Sequence, residues 1–593
     1  MIGGDQPFVL LDDARAIGAS PARLYSSPVR TLVAHDAAGL DTLLQAIKAA
    51  RADGLHAAGY LAYEAGLALE PKLAARLSGK VMPAPLAWFG LFDGYRQLDA
   101  KTVPQLLPDP AGAFCGPLEP QTSRSAYASL YDRVQTYIRD GDIYQANLTF
   151  RAAARYAGHP LALYAAVRPR AAAGYGGVIW TGEHWFLSFS PELFFALHDG
   201  KITTKPMKGT AARQANPAED ANAALQLRGD PKQRAENLMI VDLLRNDLSR
   251  VANPGSVAVP ELFTVESYPT VHTMTSTVSA QLQEGQDAID LIRAIFPCGS
   301  ITGAPKIRAM EIIDSIEEQP RGIYCGSIGR IDSDGNAAFN VAIRTFHLNE
   351  TAKTLLIGLG SGVVADSDVG SEWAECLAKG EFARVAKTDL DAPDFDLIET
   401  MRFDPASGIA RLELHLDRMK ESARTLGFGF DRHEARNRLH SATFYLHHAA
   451  KVRLLAARSG ALAIEIRPLP AEPAEPWRVK ITALPVDTHD FRLSHKTSDR
   501  AFYDNARHAS GVDEVLFADA DGFLTEGSIT ALFVERDGKL LTPPLARGLL
   551  PSVLRRELIE SGRATEADLR PDDLGGSFWL GNSLRGLVPA ILC

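Results

Sequence analysis

Cysteine is scarce in this chain of 593 residues: there are five, an odd number, and none stands in a paired or CxxC spacing. The count fits no disulfide framework and predicts reduced thiols in a cytoplasm. Long apolar runs are also missing. None approaches the roughly 18 residues of a membrane-spanning helix. Residues Met1 to Gln6 hold no basic stretch ahead of an apolar one, so neither export nor a membrane association is expected. Basic residues are not in excess, and a net charge of −10 argues against a nucleic-acid surface. There is no internal repeat and no low-complexity tract. What remains is an ordinary globular composition, 46% hydrophobic and 23% charged, in a chain too long for a single core.

One seam divides it. Residues Glu381 to Lys387 close a helix-like stretch, and Thr388 to Asp394 form a short polar linker bearing Pro393. The expected organisation is therefore a domain over 1–388, a linker over 389–394 and a second domain over 395–593. Within the first, Pro104 to Pro120 reads as a surface loop, followed by a helix from Ser125.

The stretch Lys205-Pro206-Met207-Lys208-Gly209-Thr210 begins 13 residues after Glu192 of Ser190-Pro191-Glu192. A strand, a turn and a second strand would bring Lys208 and Glu192 into one pocket. A buried lysine beside other charges can have its pKa lowered until the neutral amine is a nucleophile. A desolvated carboxylic acid can hold the proton that a leaving group needs. Alone, the pairing reads more readily as a surface lysine with a solvated glutamate, since charged residues are mostly exposed. Further along, Glu236 falls in an apolar helical run, while Glu372 and Glu375 stand three apart, on one helix face. Carboxylates converging from two helices suit a hard cation such as Mg2+, which keeps several waters. The string Gly358-Leu359-Gly360-Ser361-Gly362 lacks the full glycine fingerprint of a nucleotide site.

These pieces stand in series with Val271-His272-Thr273-Met274-Thr275, Cys298-Gly299-Ser300-Ile301-Thr302-Gly303-Ala304-Pro305-Lys306, Tyr324-Cys325-Gly326 and Ala342-Ile343-Arg344-Thr345. In that order and spacing they resemble the chorismate-utilising enzymes, the family of anthranilate synthase, isochorismate synthase and aminodeoxychorismate synthase component I, over roughly residues 5 to 388. The resemblance implies an α+β fold of antiparallel sheets flanked by helices. It assigns Mg2+ to Glu236 and Glu375 with Glu372 close by. It assigns substrate contacts to His272, Thr275, Ser300, Thr302, Gly303, Ala304, Arg344, Gly360 and Lys379. A PxKGT sequence is, within that family, the signature of aminodeoxychorismate synthase. The implied chemistry is attack of the Lys208 amine on C2 of chorismate, protonation of the departing C4 hydroxyl by Glu192, and addition of ammonia at C4.

Beyond the linker a second resemblance begins. Leu414-His415-Leu416-Asp417-Arg418, with Arg418 at the start of a helix-like pattern, precedes Ser494-His495-Lys496-Thr497, Leu524-Thr525-Glu526-Gly527 and Gly581-Asn582-Ser583-Leu584-Arg585. Together they resemble a fold-type IV pyridoxal phosphate enzyme of α/β type, the class of aminodeoxychorismate lyase and branched-chain aminotransferase. That likeness implies that Lys496 carries pyridoxal 5'-phosphate and moves the proton at the substrate carbon, that Glu526 faces the pyridine nitrogen, and that Arg418 and Ser583 hold the phosphate. The resemblance starts inside the class's usual first strands, so the smaller subdomain is expected to lean on the first unit.

Joined, the two resemblances imply a synthase making 4-amino-4-deoxychorismate from chorismate and ammonia, and a lyase releasing pyruvate to give 4-aminobenzoate for folate. No cysteine sits in a nucleophile elbow with a downstream His and Glu, so ammonia is expected from a separate glutamine amidotransferase subunit. Two alternatives remain open: an anthranilate-type synthase joined to an amino-acid aminotransferase, and a synthase whose C-terminal module is not catalytic.

Overall fold

The computed structural model of the chain describes residues 6–267, 271–383, 395–575 and 578–593. The expected linker, 389–394, and the adjoining 384–388 lie outside them. Two compact units are formed: one from Met1–Leu107, Leu118–Ala154 and Tyr164–Ala383, the other from Pro108–Pro117, Arg155–Leu163 and Arg384–Cys593. Two short N-terminal segments thus belong with the C-terminal unit.

The first unit holds two antiparallel sheets. One runs Gly303–Ala304, Gln145–Ala157, Thr354–Val363, Thr345–Asn349, Trp185–Ser188, Gly176–Trp180, Phe8–Asp12, Ala22–Ser26, Arg96–Leu98. The other runs Met207–Ala212, Val271–Gln281, Lys201–Lys205, Leu193–His198, Ala337–Asn340, Ser327–Ile331, His56–Leu61, Ala87–Phe92, Arg30–Ala34. The strand His56–Leu61 explains the layering. Its Ala58 and Tyr60 pack against Val9, Ile179 and Phe186 of the facing sheet, while Ala57 and Leu61 pack beneath helices Ala37–Ala52 and Ala288–Ile295. Alternate side chains of a strand point to opposite faces, so a strand covered on both must be apolar throughout.

Three helices of the first unit are fixed by their N-terminal residues. Pro231–Ser249 starts at Pro231, whose missing N–H is no loss at a first helical position, and Asp230 accepts the Gln233 N–H at 3.0 Å. Val369–Gly380 is capped by Asp368, which accepts from Ser371 N. Ala288–Ile295 carries a reciprocal capping box between Asp287 and Asp290. The expected loop Pro104–Pro120 is more than a loop. Phe114–Cys115 forms a short strand against Tyr156 and Ala157, and Phe114 is 6% exposed within an apolar cluster with Phe395 and Phe491. The apolar Phe114 between prolines overrides their turn signal.

The second unit has a four-stranded antiparallel sheet, ordered Gly408–Ile409, Leu397–Asp404, Ala450–Ala456, Leu462–Pro468, with helices Leu412–Leu426 and Arg432–Thr443. Arg418 lies in the middle of the first helix, not at its start as the pattern suggested: Leu412 and Leu416 already carry the apolar stripe in the turns before it. A larger mixed sheet runs Leu524–Gly527, Glu514–Ala518, Trp477–Ala483, Gly586–Leu592, Phe578–Asn582, Ala531–Arg536 and on to Lys539–Thr542 and Ala564–Glu566. Glu526 also pairs with Ala531, so six of these strands close into a ring. All five cysteines are free, and only Cys593 is exposed. Among the described residues, no helix is long and apolar enough to cross a membrane.

Candidate functional site

The hairpin Leu193–His198 to Lys201–Lys205 turns through Asp199 and Gly200, both with positive φ, and pairs Leu193 with Lys205. The next strand, Met207–Ala212, pairs Met207 with Thr275 and Thr210 with Thr273, so Lys208 and Gly209 stand opposite one residue. This is a β-bulge, and Gly209 supplies its left-handed residue at φ +82°. Any side chain on Gly209 would meet Gln233 at 2.7 Å. Lys208 and Glu192 consequently line one cavity of about 290 Å³, together with Ser300, Arg344, Glu236 and Lys379.

The electrostatics of this cavity pull its two central groups toward neutrality. Glu192 is 4% exposed, and its burial pushes its pKa up to about 7. Ser300 Oγ donates to Glu192 Oε1 at 2.7 Å and, with Lys208 and the Met207 N–H, tempers that rise. Burial and the neighbouring Lys379 cation lower the Lys208 pKa, against the pull of Glu192, Glu236 and Glu375. Lys379 donates to Gly360 O at 2.9 Å and pairs with Glu375 at 2.7 Å. A neutral-leaning amine and a proton-holding acid therefore share a pocket, which is what nucleophilic displacement with general-acid assistance requires.

Glu236, Glu372 and Glu375 line the same cavity. Burial raises the Glu236 pKa, Lys208 and Lys232 draw it down, and Glu372 and Glu375 push it up again. Among the described residues no three His, Cys, Asp or Glu side chains close into a protein cage for a metal. The donor set is instead an open carboxylate wall, which fits a hard cation completed by water and ligand oxygens.

Other expected contacts lie elsewhere. His272 has both ring nitrogens engaged, Nδ1 with Ser267 Oγ at 2.8 Å and Nε2 with Asp220 at 2.9 Å, and does not line the cavity. Thr275 points its hydroxyl at Thr264 O at 3.4 Å, and Thr302 donates to Cys298 O at 2.8 Å. Gly303 and Ala304 pair with Ala146 and Gln145 as a short strand. Asn147, Lys232 and Tyr324 do line the cavity, though their sequence gave them no role. The glycines of 358–362 lie on the strand Thr354–Val363. A Cβ at 358 would strike Tyr324 at 2.0 Å, at 360 Thr149 at 2.7 Å and at 362 Gln145 at 2.7 Å, with Lys208 Nζ 3.4 Å away. They make room for side chains from neighbouring elements, and no phosphate loop is formed.

The second unit has its own cavity, about 360 Å³, lined by Lys496, Glu526, Arg418 and Ser583 among others. Burial and the Arg418 charge bring the Lys496 pKa down to about 7. Burial pushes Glu526 up to about 7, and its Oε1 accepts from Tyr503 OH at 2.5 Å and Leu550 N–H at 2.9 Å. Arg418 grips Glu399 through two nitrogens at 2.8 and 2.6 Å. His415 bridges Glu399 and Ser583 Oγ at 2.6 and 2.7 Å. Arg418 and His415 hold Glu399 well below the usual carboxylate range against its burial. The donor set fits a cofactor with an aldehyde, a ring nitrogen and a phosphate: one amine, one acid and an Arg–Ser pair around a single cavity.

Residues 396–593 match the amino-transferase class IV family. Aminodeoxychorismate synthase component 1 of Klebsiella aerogenes is 47% identical over 257 residues, 43% of this chain and 56% of that protein. Its counterpart from Escherichia coli K12 is 45% identical over the same shares. The chain thus spans about half the length of these relatives. The crystal structure of anthranilate synthase component I from Streptococcus pneumoniae superposes with a TM-score of 0.53 at 24% identity, covering 62% of this chain and 93% of that one, and shares its fold. Residues 11–384, more than half of the chain, match the chorismate binding enzymes, and the chain belongs to that family.

Proposed function

We propose that the N-terminal unit converts chorismate and ammonia to 4-amino-4-deoxychorismate and water, through a covalent bond to Lys208. The neutral Lys208 amine attacks ring carbon C2, the ring electrons shift, and the C4 hydroxyl leaves as water with the proton of Glu192. Ammonia then adds at C4, the electrons shift back, and Lys208 departs from C2. The observation that carries this reading is the pairing of an acid with pKa about 7 and a lysine of lowered pKa in one cavity. Ser300 orients Glu192, while Arg344 and Lys379 supply charge for the two substrate carboxylates. Glu236 and Glu375, with Glu372 beside them, would hold Mg2+, which neutralises carboxylate charge when bound. A glutamine amidotransferase subunit is the proposed source of ammonia; relatives named component 1 support such a partner.

The C-terminal unit would then release pyruvate from 4-amino-4-deoxychorismate and leave 4-aminobenzoate. Pyridoxal phosphate, when bound, supplies an electron sink. Lys496, half neutral near pH 7, would carry it and exchange the substrate proton; Glu526 would be the acid for the ring nitrogen; Arg418 and Ser583 would be the phosphate partners. Incubation of the full chain with chorismate, Mg2+ and ammonium tests both halves. Aminodeoxychorismate is expected without pyridoxal phosphate, and 4-aminobenzoate with it. Anthranilate as the product would overturn the reading.

A further inference from the structure

The cavity of the second unit carries more positive charge than its cofactor role needs. Eight Arg and Lys side chains line it, against three acids. Several are already engaged: Arg418 by Glu399, Arg492 by Asp490 at 2.6 Å, and Arg500 by Asp504 at 3.6 Å. Lys451 and Arg585 are different. Among the described residues neither has a carboxylate within ion-pair distance, and Arg453 beside them reaches Glu465 only at 3.8 Å.

The fold places these cations deliberately close. Along the strand Ala450–Ala456, Val452 and Leu454 point into the apolar core, so Lys451 and Arg453 face the other way, toward the cavity. The partner strand sets Thr400 opposite Arg453, and Thr400 lines the same wall. Arg585 follows the Asn582–Ser583 turn, where Asn582 Oδ1 accepts the Arg585 N–H at 3.0 Å, and its guanidinium lies 5.3 Å from the Trp477 ring. Lys451, Arg453 and Arg585 are all partly buried. Burial and the charges of Arg453, Arg585 and Arg467 lower the Lys451 pKa, with Glu465 pulling the other way: positive charge is in surplus here.

We propose that Lys451 and Arg585, backed by Arg453, form a carboxylate subsite of the C-terminal cavity that selects a substrate bearing two carboxylates over a simple amino acid. The proposal rests on the reading of Lys496 and Glu526 given above. One carboxylate would be left to the groups near Lys496, and the second would pair with Lys451 and Arg585, which have no carboxylate within ion-pair distance among the described residues. A cluster of three cations that shares one carboxylate, Glu465, gains from a further anion, so a dicarboxylate is favoured over a monocarboxylate of the same size.

The test uses the full chain loaded with pyridoxal phosphate and supplied with aminodeoxychorismate. In Lys451→Met and Arg585→Met, KM should rise about 10- to 100-fold with kcat changing little, the loss typical of one charged contact. Uptake of pyridoxal phosphate and its visible absorbance should match the parent. Isophthalate, a rigid dicarboxylate, should inhibit the parent more strongly than either variant, while inhibition by benzoate should change less. Unchanged KM and isophthalate inhibition would overturn the proposal. So would a loss of cofactor affinity parallel to the rise in KM, since the cations would then be partners of the cofactor phosphate. If the parent takes up no pyridoxal phosphate, the functional reading fails instead. Calorimetric binding of isophthalate by parent and variants, which needs no cofactor, still decides the subsite: equal binding refutes it.

Discussion

Replacing Glu192 by glutamine should stabilise the N-terminal unit at alkaline pH while removing its activity. The carboxyl keeps its proton up to about pH 7 in the folded chain, against an ordinary value of 4.5, because burial disfavours its anion. The folded state therefore binds more protons than the unfolded one between these values. Stability from this group is full below about pH 4.5 and is lost as pH rises through 7. A separation of about 2.5 pKa units, at about 1.36 kcal/mol each, corresponds to roughly 3 kcal/mol. Glutamine has nearly the same shape, can accept the Ser300 hydroxyl through its amide oxygen, and has no proton to lose. The variant should unfold like the parent near about pH 5 and resist unfolding by up to roughly 3 kcal/mol more near about pH 8.5. Thermal melts at both pH values and aminodeoxychorismate formation from ammonium are the assays. Activity should fall about 10²- to 10⁴-fold, the usual worth of a general acid. A stability difference that does not change with pH would refute the raised pKa, and stabilisation with full activity would refute the acid role.

Three further outcomes follow from the sites. Lys208→Ala should abolish aminodeoxychorismate formation, since the cavity has no second amine on that strand; synthesis at the parent rate would rule out covalent catalysis. Glu236→Gln and Glu375→Gln should each lower activity sharply and shift half-saturation by Mg2+ upward by about tenfold or more; an unchanged magnesium titration in both would make them ordinary helix-surface acids. Lys496→Ala should leave chorismate consumption intact but stop pyruvate release, with aminodeoxychorismate accumulating in the product assay. Pyruvate released at the parent rate would show that Lys496 is not required.

The order of motifs was legible in the sequence because each rests on a local requirement. A short hairpin with Gly200 between Glu192 and Lys208, and two glutamates three apart on a helix, need only strand and helix periods to be read. Orientation across the sheet was not legible. His272 and Thr275 sit on the strand Val271–Gln281, and which face reaches the cavity depends on the pairing register with Met207–Ala212 and Ala258–Ser267, set by bulges on both sides. Asn147 and Tyr324 are distant in the chain from Lys208, and only the fold brings them to it. Phe114 likewise disappears into a core that no proline-rich segment advertises.

The bulge at Lys208-Gly209 fixes the reactive amine by counting as well as by chemistry. Two residues occupy a place where the opposite strand offers one, so the amine's position depends on an insertion in the ladder. Removing a single residue between Met207 and Thr210 would restore regular pairing and, because side chains alternate, re-aim the neighbouring positions. Moving the lysine to 207 or to 210 could not recover the geometry, since both places are paired in the ladder, opposite Thr275 and Thr273, and lie outside the bulge. On this strand the reactive amine is therefore specified by chain length as much as by residue type, and a deletion there would displace it as surely as a substitution would remove it.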